Sequence, residues 1–227
     1  MSIVYKKGSL YKNMSSEQGD KEKGTNRRQL RMNLRRQEIL KVAARLFAEV
    51  GYERTTLEMI ASELGLSQPA LYYYVASKED VLAQLFEDIL QRIIGRTEED
   101  ISAVESAEQQ LRLLIKAHIA SLCQYPEGKA FILYESHLLS LRTPEILEMR
   151  DRYQQIVESI LNTGIEQGIF PITNVKLATF ALLGSLNWIP RWFSTDGDLS
   201  QEMIGEFYAQ FLTSALMNSS EALTLYK

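Results

Sequence analysis

The chain has 227 residues, of which 45% are hydrophobic, which is enough for one or two globular domains with a sizeable core. No apolar run reaches the roughly eighteen residues of a membrane span, the N-terminus lacks the apolar core of a secretory signal, and one cysteine excludes an internal disulfide framework, so we expect a cytoplasmic protein without a membrane partner. The net charge of −4 argues against nucleic acid, but it is uneven, because residues 1–80 hold 14 basic and 10 acidic side chains while residues 81–227 hold 11 and 19.

The N-terminal segment, residues 1–32, belongs to the basic part, and local positive charge is typical of a protein that attracts DNA at one end. Residues 1–26 are polar, contain three glycines and show no periodic apolar pattern, so we expect a mobile tail. Two interpretations of its basic side chains stay open. They form a solubilising extension, or an arm, with Arg28 and Arg31 as contacts, that lies along the DNA backbone or in the minor groove.

The first predicted helix covers residues 33–50. Apolar residues recur at helical spacing along it and predict one buried face: Ile39, Val42, Ala43, Leu46, Phe47 and Val50. Gly51 ends this helix. Burial of one large side chain such as Phe47 stabilises a fold by ~1.5–3 kcal/mol, so we interpret this face as structural.

The next stretch predicts two short helices joined by a tight turn, the arrangement of a protein that binds duplex DNA. Thr55 or Thr56 can cap the first of them, which ends at Gly65. Ser67 can cap the second, and Pro69 falls in its first turn, where a missing N–H is harmless.

The outward face of the second short helix has the chemistry of a surface that contacts bases. Leu71 and Val75, four residues apart, face inward. The outward residues are therefore Gln68, Pro69, Ala70, Tyr72 and Tyr73. Glutamine pairs with adenine in the major groove, and an alanine methyl group can contact the thymine methyl group. The alternative is an ordinary helical hairpin whose tyrosines pack on a neighbouring element.

The sequence GYERTTLEMIASELGLSQPALYYYVASKEDVLAQL, residues 51–85, resembles the DNA-binding domain of TetR-type transcriptional regulators. The matching features are Gly51-Tyr52, Thr55-Thr56, Ile60-Ala61, Gly65-Leu66-Ser67, Leu71-Tyr72 and Ser77-Lys78. Tyr73 and Tyr74 depart from a pattern in which one histidine is common, and Val75 stands where phenylalanine is usual. The resemblance is strong over residues 33–95 and rests on architecture alone elsewhere.

The resemblance implies that this segment contacts an operator. For Lys78 it implies a phosphate contact, and the alternative is a lysine at a helix start that serves solubility. With the basic arm included, the expected DNA contacts are Thr56, Ser67, Gln68, Pro69, Ala70, Tyr72, Tyr73, Tyr74, Lys78, Arg28 and Arg31.

The remainder of the chain predicts helices only. A fourth helix begins at Ser77, with Asp80 completing a capping box, and runs to about Ile94. Five more follow, over residues 107–125, 129–141, 143–167, 174–192 and 200–217. The predicted fold is all-α, with a three-helix DNA-binding domain at 33–95, whose helix-turn-helix covers 56–75, and a helical domain for ligand binding and dimerisation at 96–227.

The last two helices are the most apolar part of the chain. They are either one more pair of core helices or a homodimer seam, in which two such pairs form a four-helix interface. The resemblance favours the seam. Function favours it also, because two recognition helices roughly 34–36 Å apart can read a palindromic duplex.

The residues that could support catalysis do not form a known reactive pattern. His118 and His137 are 19 positions apart without a second ligand at zinc-binding spacing, and Cys123 lies in an apolar helix. We therefore expect no enzyme, no catalytic residue, no metal and no cofactor.

The second domain has an expected effector site. Its candidate lining is Phe131, Tyr134, Leu138, Ile156, Phe180, Trp188 and Arg191. The stretch 187–193, NWIPRWF, resembles a segment of TetR-type regulators that respond to acyl-CoA thioesters, which implies an amphipathic, anionic effector. The alternative is that the arginine of this stretch contributes to the dimer interface. The expected function is a DNA-binding repressor released by such a ligand. The alternative is a ligand-independent or partner-gated regulator whose second domain has a closed core.

Overall fold

The computed structural model describes the backbone of residues 10–124, 126–141 and 144–218, and the side chains in these ranges other than 10–26, 135, 136 and 138–141. Within this part of the chain there are only helices, which confirms the all-α prediction. In chain order they are α1 (Leu10–Glu49), α2 (Leu57–Glu63), α3 (Gln68–Tyr72), α4 (Lys78–Ser102), α5 (Ala107–Leu122), α6 (Glu127–Leu141), α7 (Pro144–Glu166), α8 (Val175–Trp188), a 3₁₀ turn (Ile189–Arg191) and α9 (Gln201–Met217). No helix in the described ranges is long and apolar enough to cross a membrane.

The first helix begins much earlier than its apolar pattern predicts. α1 starts at Leu10 rather than near residue 33, so the predicted start of the first helix is wrong, and residues 1–9 lie outside the described part. The mobility of this segment stays a prediction. Residues 10–32 contain no proline and many Lys, Arg, Glu and Gln residues, which are good helix formers, and two interior glycines cost only about 1 kcal/mol each. Residues 10–32 can therefore continue α1 without an apolar stripe, because no helix breaker interrupts them.

The chain divides into two compact units, residues 1–39 and residues 40–227. In the first unit the described surface of the helix is mostly polar, with an ion pair of 2.5 Å between Arg35 and Glu38 one turn apart. Leu30 and Leu34 are exposed there. The second unit contains the remaining helices and the main core.

In the second unit α5 is central and packs against α4, α6, α7, α8 and α9. α4 runs to Ser102, about two turns beyond the predicted end, because its buried stripe continues through Ile93, Ile94 and Thr97. One continuous helix thus leads from the short helices α2 and α3 into the helical bundle.

The other helix ends lie close to the predicted ones, with one physical difference. α8 ends at Trp188, and the 3₁₀ turn that follows it contains Pro190. Proline has no backbone N–H to continue an α-helix. The predicted ends at residues 125 and 143 lie outside the described residues.

Candidate functional site

The helix-turn-helix is held by two side-chain caps and one glycine. Thr56, not Thr55, caps α2, since its hydroxyl oxygen accepts from the Met59 amide at 3.2 Å. The hydroxyl of the buried Thr55 donates to the Gly51 carbonyl instead, at 2.9 Å. Ser67 caps α3 in the same way, and the intervening turn passes through Gly65 at φ +62°. A positive φ is costly for other residues, so local chemistry fixes the angle between the two helices.

The face of α3 presented to solvent is the one that the sequence predicts. Leu71 and Val75 are buried, and their burial holds α3 against the core. Tyr72 and Tyr73 are exposed, with 51% and 58% of their surface accessible. Gln68, Pro69 and Ser67 are exposed too, whereas Ala70 and Tyr74 are half-buried. The contact of these residues with DNA stays a prediction.

Lys78 has a structural role that its sequence position did not reveal. Its ammonium group donates to the backbone carbonyl oxygens of Tyr52, at 2.8 Å, and Glu53, at 3.4 Å. It also lies 4.3 Å from the centre of the Tyr52 ring, a cation–π geometry. The phosphate contact that the resemblance implies for Lys78 therefore has to be made by an ammonium group that already anchors the loop after α1.

Arg28 and Arg31 lie on the exposed surface of α1 in the first unit. They are three residues apart in a helix, so they share one face. Their place on α1, ahead of the predicted helix start at residue 33, is a correction to the predicted helix bounds, and their contact with DNA stays a prediction.

Tyr134 of α6 was expected to line a ligand pocket and instead contacts the end of α1. Its hydroxyl oxygen accepts from the Tyr52 amide at 2.9 Å and its hydrogen is donated to the Phe47 carbonyl at 2.9 Å. The rings of Tyr134 and Tyr52 lie 5.5 Å apart between centres. Both backbone groups belong to the last turn of α1 and the loop after it.

A cavity of about 140 Å³, here called the α4–α8 cavity, lies among the five helices α4 to α8. Its lining combines apolar and polar side chains. The lining residues are Leu90, Ile93, His118, Phe131, Arg150, Asp151, Tyr153, Gln154, Leu183 and Asn187. Small-molecule sites usually combine an apolar wall with a few polar groups in this way.

Three polar side chains form a hydrogen-bonded chain in the wall of this cavity. His118 Nδ1 lies 2.8 Å from the Tyr153 hydroxyl, and His118 Nε2 lies 3.1 Å from Asn187 Oδ1. Burial lowers the pKa of His118 to about 4, and the hydrogen bond to Asn187 acts in the opposite direction with a smaller effect. Burial raises the pKa of Tyr153 well above its usual value. All three groups are therefore neutral near pH 7.

The structure does not bring the predicted pocket residues together. Phe131 lines the α4–α8 cavity, whereas Ile156, half-buried on α7, does not. Phe180 and Trp188 lie 49% and 60% exposed on the outside of α8. The guanidinium of Arg191 lies 4.9 Å from the centre of the exposed Trp188 ring. The side chain of Leu138 lies outside the described residues. The correction has a simple cause, since α8 is apolar on several faces and periodicity alone cannot tell which one turns inward.

Sequence reasoning missed three of the cavity's polar residues: His118, Tyr153 and Asn187. A signal existed for the first, because His118 continues the buried stripe of Leu111, Leu114 and Ile115 on α5. A buried imidazole requires hydrogen-bond partners. The identity of those partners, 35 and 69 residues away, could not be read from spacing.

An exposed apolar groove of about 630 Å³, here called the α8–α9 groove, lies between the last two helices. Its lining is Phe180, Ala181, Gly184, Ser185, Trp188, Phe207, Tyr208, Phe211 and Leu212. Phe207 and Phe211 are 63% and 58% exposed and their rings stack at 5.7 Å. A contiguous patch of exposed aromatic rings is typical of a protein interaction surface.

A further cleft of about 290 Å³ lies at the C-terminal end of α5, near Cys123 and Lys129. The thiol of Cys123 is buried, and burial raises its pKa to about 11. At neutral pH the group is therefore a thiol rather than the reactive thiolate.

Two segments of the chain match family models of known proteins. Residues 39–85 match the tetR family of bacterial regulatory proteins, and residues 104–216 match the tetracyclin repressor-like C-terminal domain. The HTH-type transcriptional repressor KstR2 of Mycobacterium tuberculosis is 28% identical over 182 residues, which cover 78% of this chain and 90% of the relative.

Two further relatives cover similar lengths. The fatty acid metabolism regulator protein of Bacillus subtilis is 29% identical over 187 residues, which cover 80% of this chain and 95% of the relative. The crystal structure of the TetR family regulator PfmR from Thermus thermophilus superposes with a TM-score of 0.71 at 33% identity, covering 78% of this chain and 97% of that one.

Proposed function

Because the chain belongs to the TetR family of bacterial transcriptional regulators, we propose that it is a homodimeric repressor released from a palindromic operator when a small amphipathic effector occupies the α4–α8 cavity. The observation that carries this proposal is the joint presence of an outward-facing recognition helix and a polar-walled cavity in one continuous helical unit. The matched relatives include transcriptional repressors.

The DNA-binding half of the proposal rests on α3. Its N-terminal residues, led by Gln68, are exposed and preceded by the capping residue Ser67. In helix-turn-helix proteins the N-terminal end of this helix contacts base edges in the major groove. Tyr72 and Tyr73 carry exposed phenolic hydroxyls, which suit phosphate oxygens. We assign base discrimination to Gln68 and Ala70, and positioning on the backbone to the tyrosines.

The homodimer rests on the α8–α9 groove. Six large apolar side chains on the outer faces of these helices are exposed by 49% or more: Leu177, Phe180, Trp188, Met203, Phe207 and Phe211. A second copy related by a twofold axis would cover this surface with the same surface of its own. Such a dimer has two recognition helices, and this is what a palindromic operator requires.

The proposed effector is an acyl-CoA thioester. Its support is threefold: the resemblance of residues 187–193 to acyl-CoA-responsive regulators, the relative that regulates fatty acid metabolism, and the mixed polar and apolar wall of the α4–α8 cavity. An acyl group would enter between Leu90, Ile93 and Phe131. Arg150 at the same cavity offers a cation for the anionic part of such a ligand.

A structural change caused by a ligand in the cavity can be transmitted to the DNA-binding helices through α6. Phe131 lines the cavity and stacks on Phe86 of α4 with 4.2 Å between ring centres. One turn later on the same helix, Tyr134 is bonded to the end of α1. A ligand that favours a displaced Phe131 therefore favours a displaced helix-turn-helix, in which the two recognition helices of the dimer no longer match successive major grooves.

The test begins with selection of bound sequences from random duplex DNA, which supplies the operator. Fluorescence anisotropy then measures the affinity of the full chain for that operator with and without acyl-CoA thioesters of different lengths. Loss of operator affinity on adding a thioester supports the proposal, and reciprocity requires operator DNA to weaken thioester binding by the same factor. Unchanged operator affinity with every thioester contradicts release by this class and favours a regulator gated by a partner or by none.

A further inference from the structure

We propose that the α4–α8 cavity selects a compact acyl group that carries an additional uncharged oxygen, keto or hydroxyl, which accepts a hydrogen bond from the side-chain amide of Asn187. The effect of such a ligand on DNA rests on the proposed function. The selectivity itself rests only on the geometry of the cavity.

The hydrogen bonds among Tyr153, His118 and Asn187 have a defined direction. Asn187 presents its oxygen to His118 Nε2 at 3.1 Å, so Nε2 must carry the hydrogen. In a neutral imidazole the other nitrogen then accepts, and the Tyr153 hydroxyl at 2.8 Å donates to it. The hydrogens therefore all point in one direction, from Tyr153 through His118 to Asn187.

The hydrogen-bonded side chains leave the NH₂ group of Asn187 available at the cavity. With its oxygen engaged by His118, Asn187 has an NH₂ group with two donors, and no described residue accepts from it. Asn187 lines the cavity and is partly accessible, whereas His118 is buried. The polar residues of the lining thus offer a donor to whatever enters, and a ligand that covers this donor without accepting from it leaves it unpaired, which is costly.

The surroundings of Asn187 favour an acceptor atom of the ligand that carries no charge. His118 and Tyr153 are neutral, because burial lowers the pKa of the imidazole to about 4 and raises that of the phenol. A carboxylate placed against this chain would lose its hydration without gaining a counter-charge there. The charged lining residues are Arg150 and Asp151, neighbours on α7 and both partly or fully accessible. An uncharged oxygen therefore fits beside Asn187, and the ionic part of a ligand fits beside Arg150.

The volume of the cavity limits the size of the acyl group. The cavity measures about 140 Å³, and an engineered apolar cavity of about 150 Å³ accommodates benzene. About six heavy atoms fill it by this comparison, so a short or small-ring acyl group fits and a long fatty chain does not. This volume, with a donor in one wall, sets an oxygen-substituted short acyl group apart from both a plain short chain and a plain long chain.

Titration calorimetry with the full chain tests the selectivity. The probes are butyryl-CoA, 3-hydroxybutyryl-CoA, acetoacetyl-CoA and palmitoyl-CoA, which share the thioester and the nucleotide part. We expect the two oxygen-substituted thioesters to bind at least roughly tenfold more tightly than butyryl-CoA, in line with one hydrogen bond to an otherwise unpaired donor. Palmitoyl-CoA is expected to bind no more tightly than butyryl-CoA.

The Asn187→Leu variant should lose the preference and keep or improve butyryl-CoA binding. If that variant does not fold, as judged by its thermal transition, Tyr153→Phe serves instead. It frees His118 Nδ1, loosens the chain and should reduce the preference while leaving the size of the cavity nearly the same. A preference that persists unchanged in the variant that folds overturns the assignment of Asn187.

Equal affinity for all four probes, tightest binding of palmitoyl-CoA, or no binding of any probe also overturns the inference. Operator binding measured on the same samples separates the two proposals. Release from DNA without an oxygen preference leaves the proposed function in place and removes this inference. Selective binding that leaves DNA affinity unchanged supports this inference and removes the effector role.

Discussion

The phenolic oxygen of Tyr134 lies 2.9 Å from the backbone nitrogen of Tyr52, across 82 positions of sequence. This contact joins α6 of the helical bundle to the loop that follows α1. The hydroxyl also donates to the carbonyl of Phe47, so two backbone groups at the end of α1 depend on one side chain. Phe131, one turn earlier on α6, lines the α4–α8 cavity.

The first prediction follows from this contact. Tyr134→Phe keeps the ring and removes both hydrogen bonds, so we expect the free energy of unfolding to fall by about 1 kcal/mol for each hydrogen bond. We also expect a smaller loss of operator affinity when the effector is added, because the hydrogen bonds that connect α6 to the end of α1 are then absent. Operator titrations with and without a saturating thioester measure this effect. Gln167→Leu, which removes one accepted and one donated hydrogen bond to backbone groups around the start of α5, is the matched control, and equal coupling in both variants would remove Tyr134 from the route.

The second prediction concerns recognition by α3. Gln68→Ala should relax sequence preference, since a base contact carries discrimination of about 1–3 kcal/mol. Lys78→Ala should weaken operator and random duplexes alike, and should also destabilise the fold, because the ammonium group holds two carbonyl oxygens of the loop after α1. Affinities on operator and random DNA, with thermal melting of each variant, check both. Equal losses on the two duplexes for Gln68→Ala would contradict its assignment to a base.

The third prediction concerns the first unit. If Arg28 and Arg31 neutralise phosphates, the double substitution Arg28→Gln with Arg31→Gln should flatten the plot of log affinity against log salt by about 0.9 for each phosphate that is no longer neutralised. Deletion of residues 1–26 should flatten it further if the preceding lysines also bind DNA. Gln29→Ala with Asn33→Ala, uncharged changes on the same helix, is the control. An unchanged slope would identify the segment as a solubilising extension.

The fourth prediction concerns the α8–α9 groove. Phe207→Ser with Phe211→Ser should convert the dimer to a monomer at micromolar concentration, because these two exposed rings line the groove on which the proposed interface rests. Sedimentation velocity measures the mass. Leu199→Ser, a similarly exposed apolar residue in the loop before α9, should leave the dimer intact. A dimer that survives the double substitution would place the interface elsewhere.

The fifth prediction is a pH dependence of stability. The pKa of His118 is lowered by burial to about 4 in the folded protein, from 6.5 in an unfolded chain. The unfolded state therefore binds the extra proton as pH falls below about 6.5, and the folded protein loses up to about 3 kcal/mol of stability by the time pH reaches about 4. His118→Gln should show a smaller loss over this window. Urea denaturation at several pH values compares the two proteins, and parallel curves would contradict the assignment.

The helix-turn-helix could be predicted from the sequence because its determinants are local. The caps Thr56 and Ser67 and the turn glycine Gly65 all act within three or four residues of their own positions. The start of α1 could not be predicted in the same way. Its extension to Leu10 has no apolar signal and depends only on the absence of a breaker.

The cavity is harder to predict, because its polar wall is made by residues that only the packed bundle brings together. His118, Tyr153 and Asn187 come from three helices, and no spacing in the sequence relates them. Trp188 shows the converse difficulty. Its segment resembles a ligand-binding sequence, yet its side chain is exposed on the outer face of α8, while its neighbour Asn187 lines the cavity.

The burial of Cys123 has a practical consequence for measuring the motion of the recognition helices. It is the one cysteine of the sequence, and its shielded, protonated thiol reacts slowly with maleimides and methanethiosulfonates. A cysteine introduced at an exposed position of α2, such as Ser62→Cys, can therefore carry a fluorophore or a spin label in an otherwise native chain. In a dimer the two labels report the separation of the DNA-binding segments directly, as a distance distribution that can be recorded with and without effector.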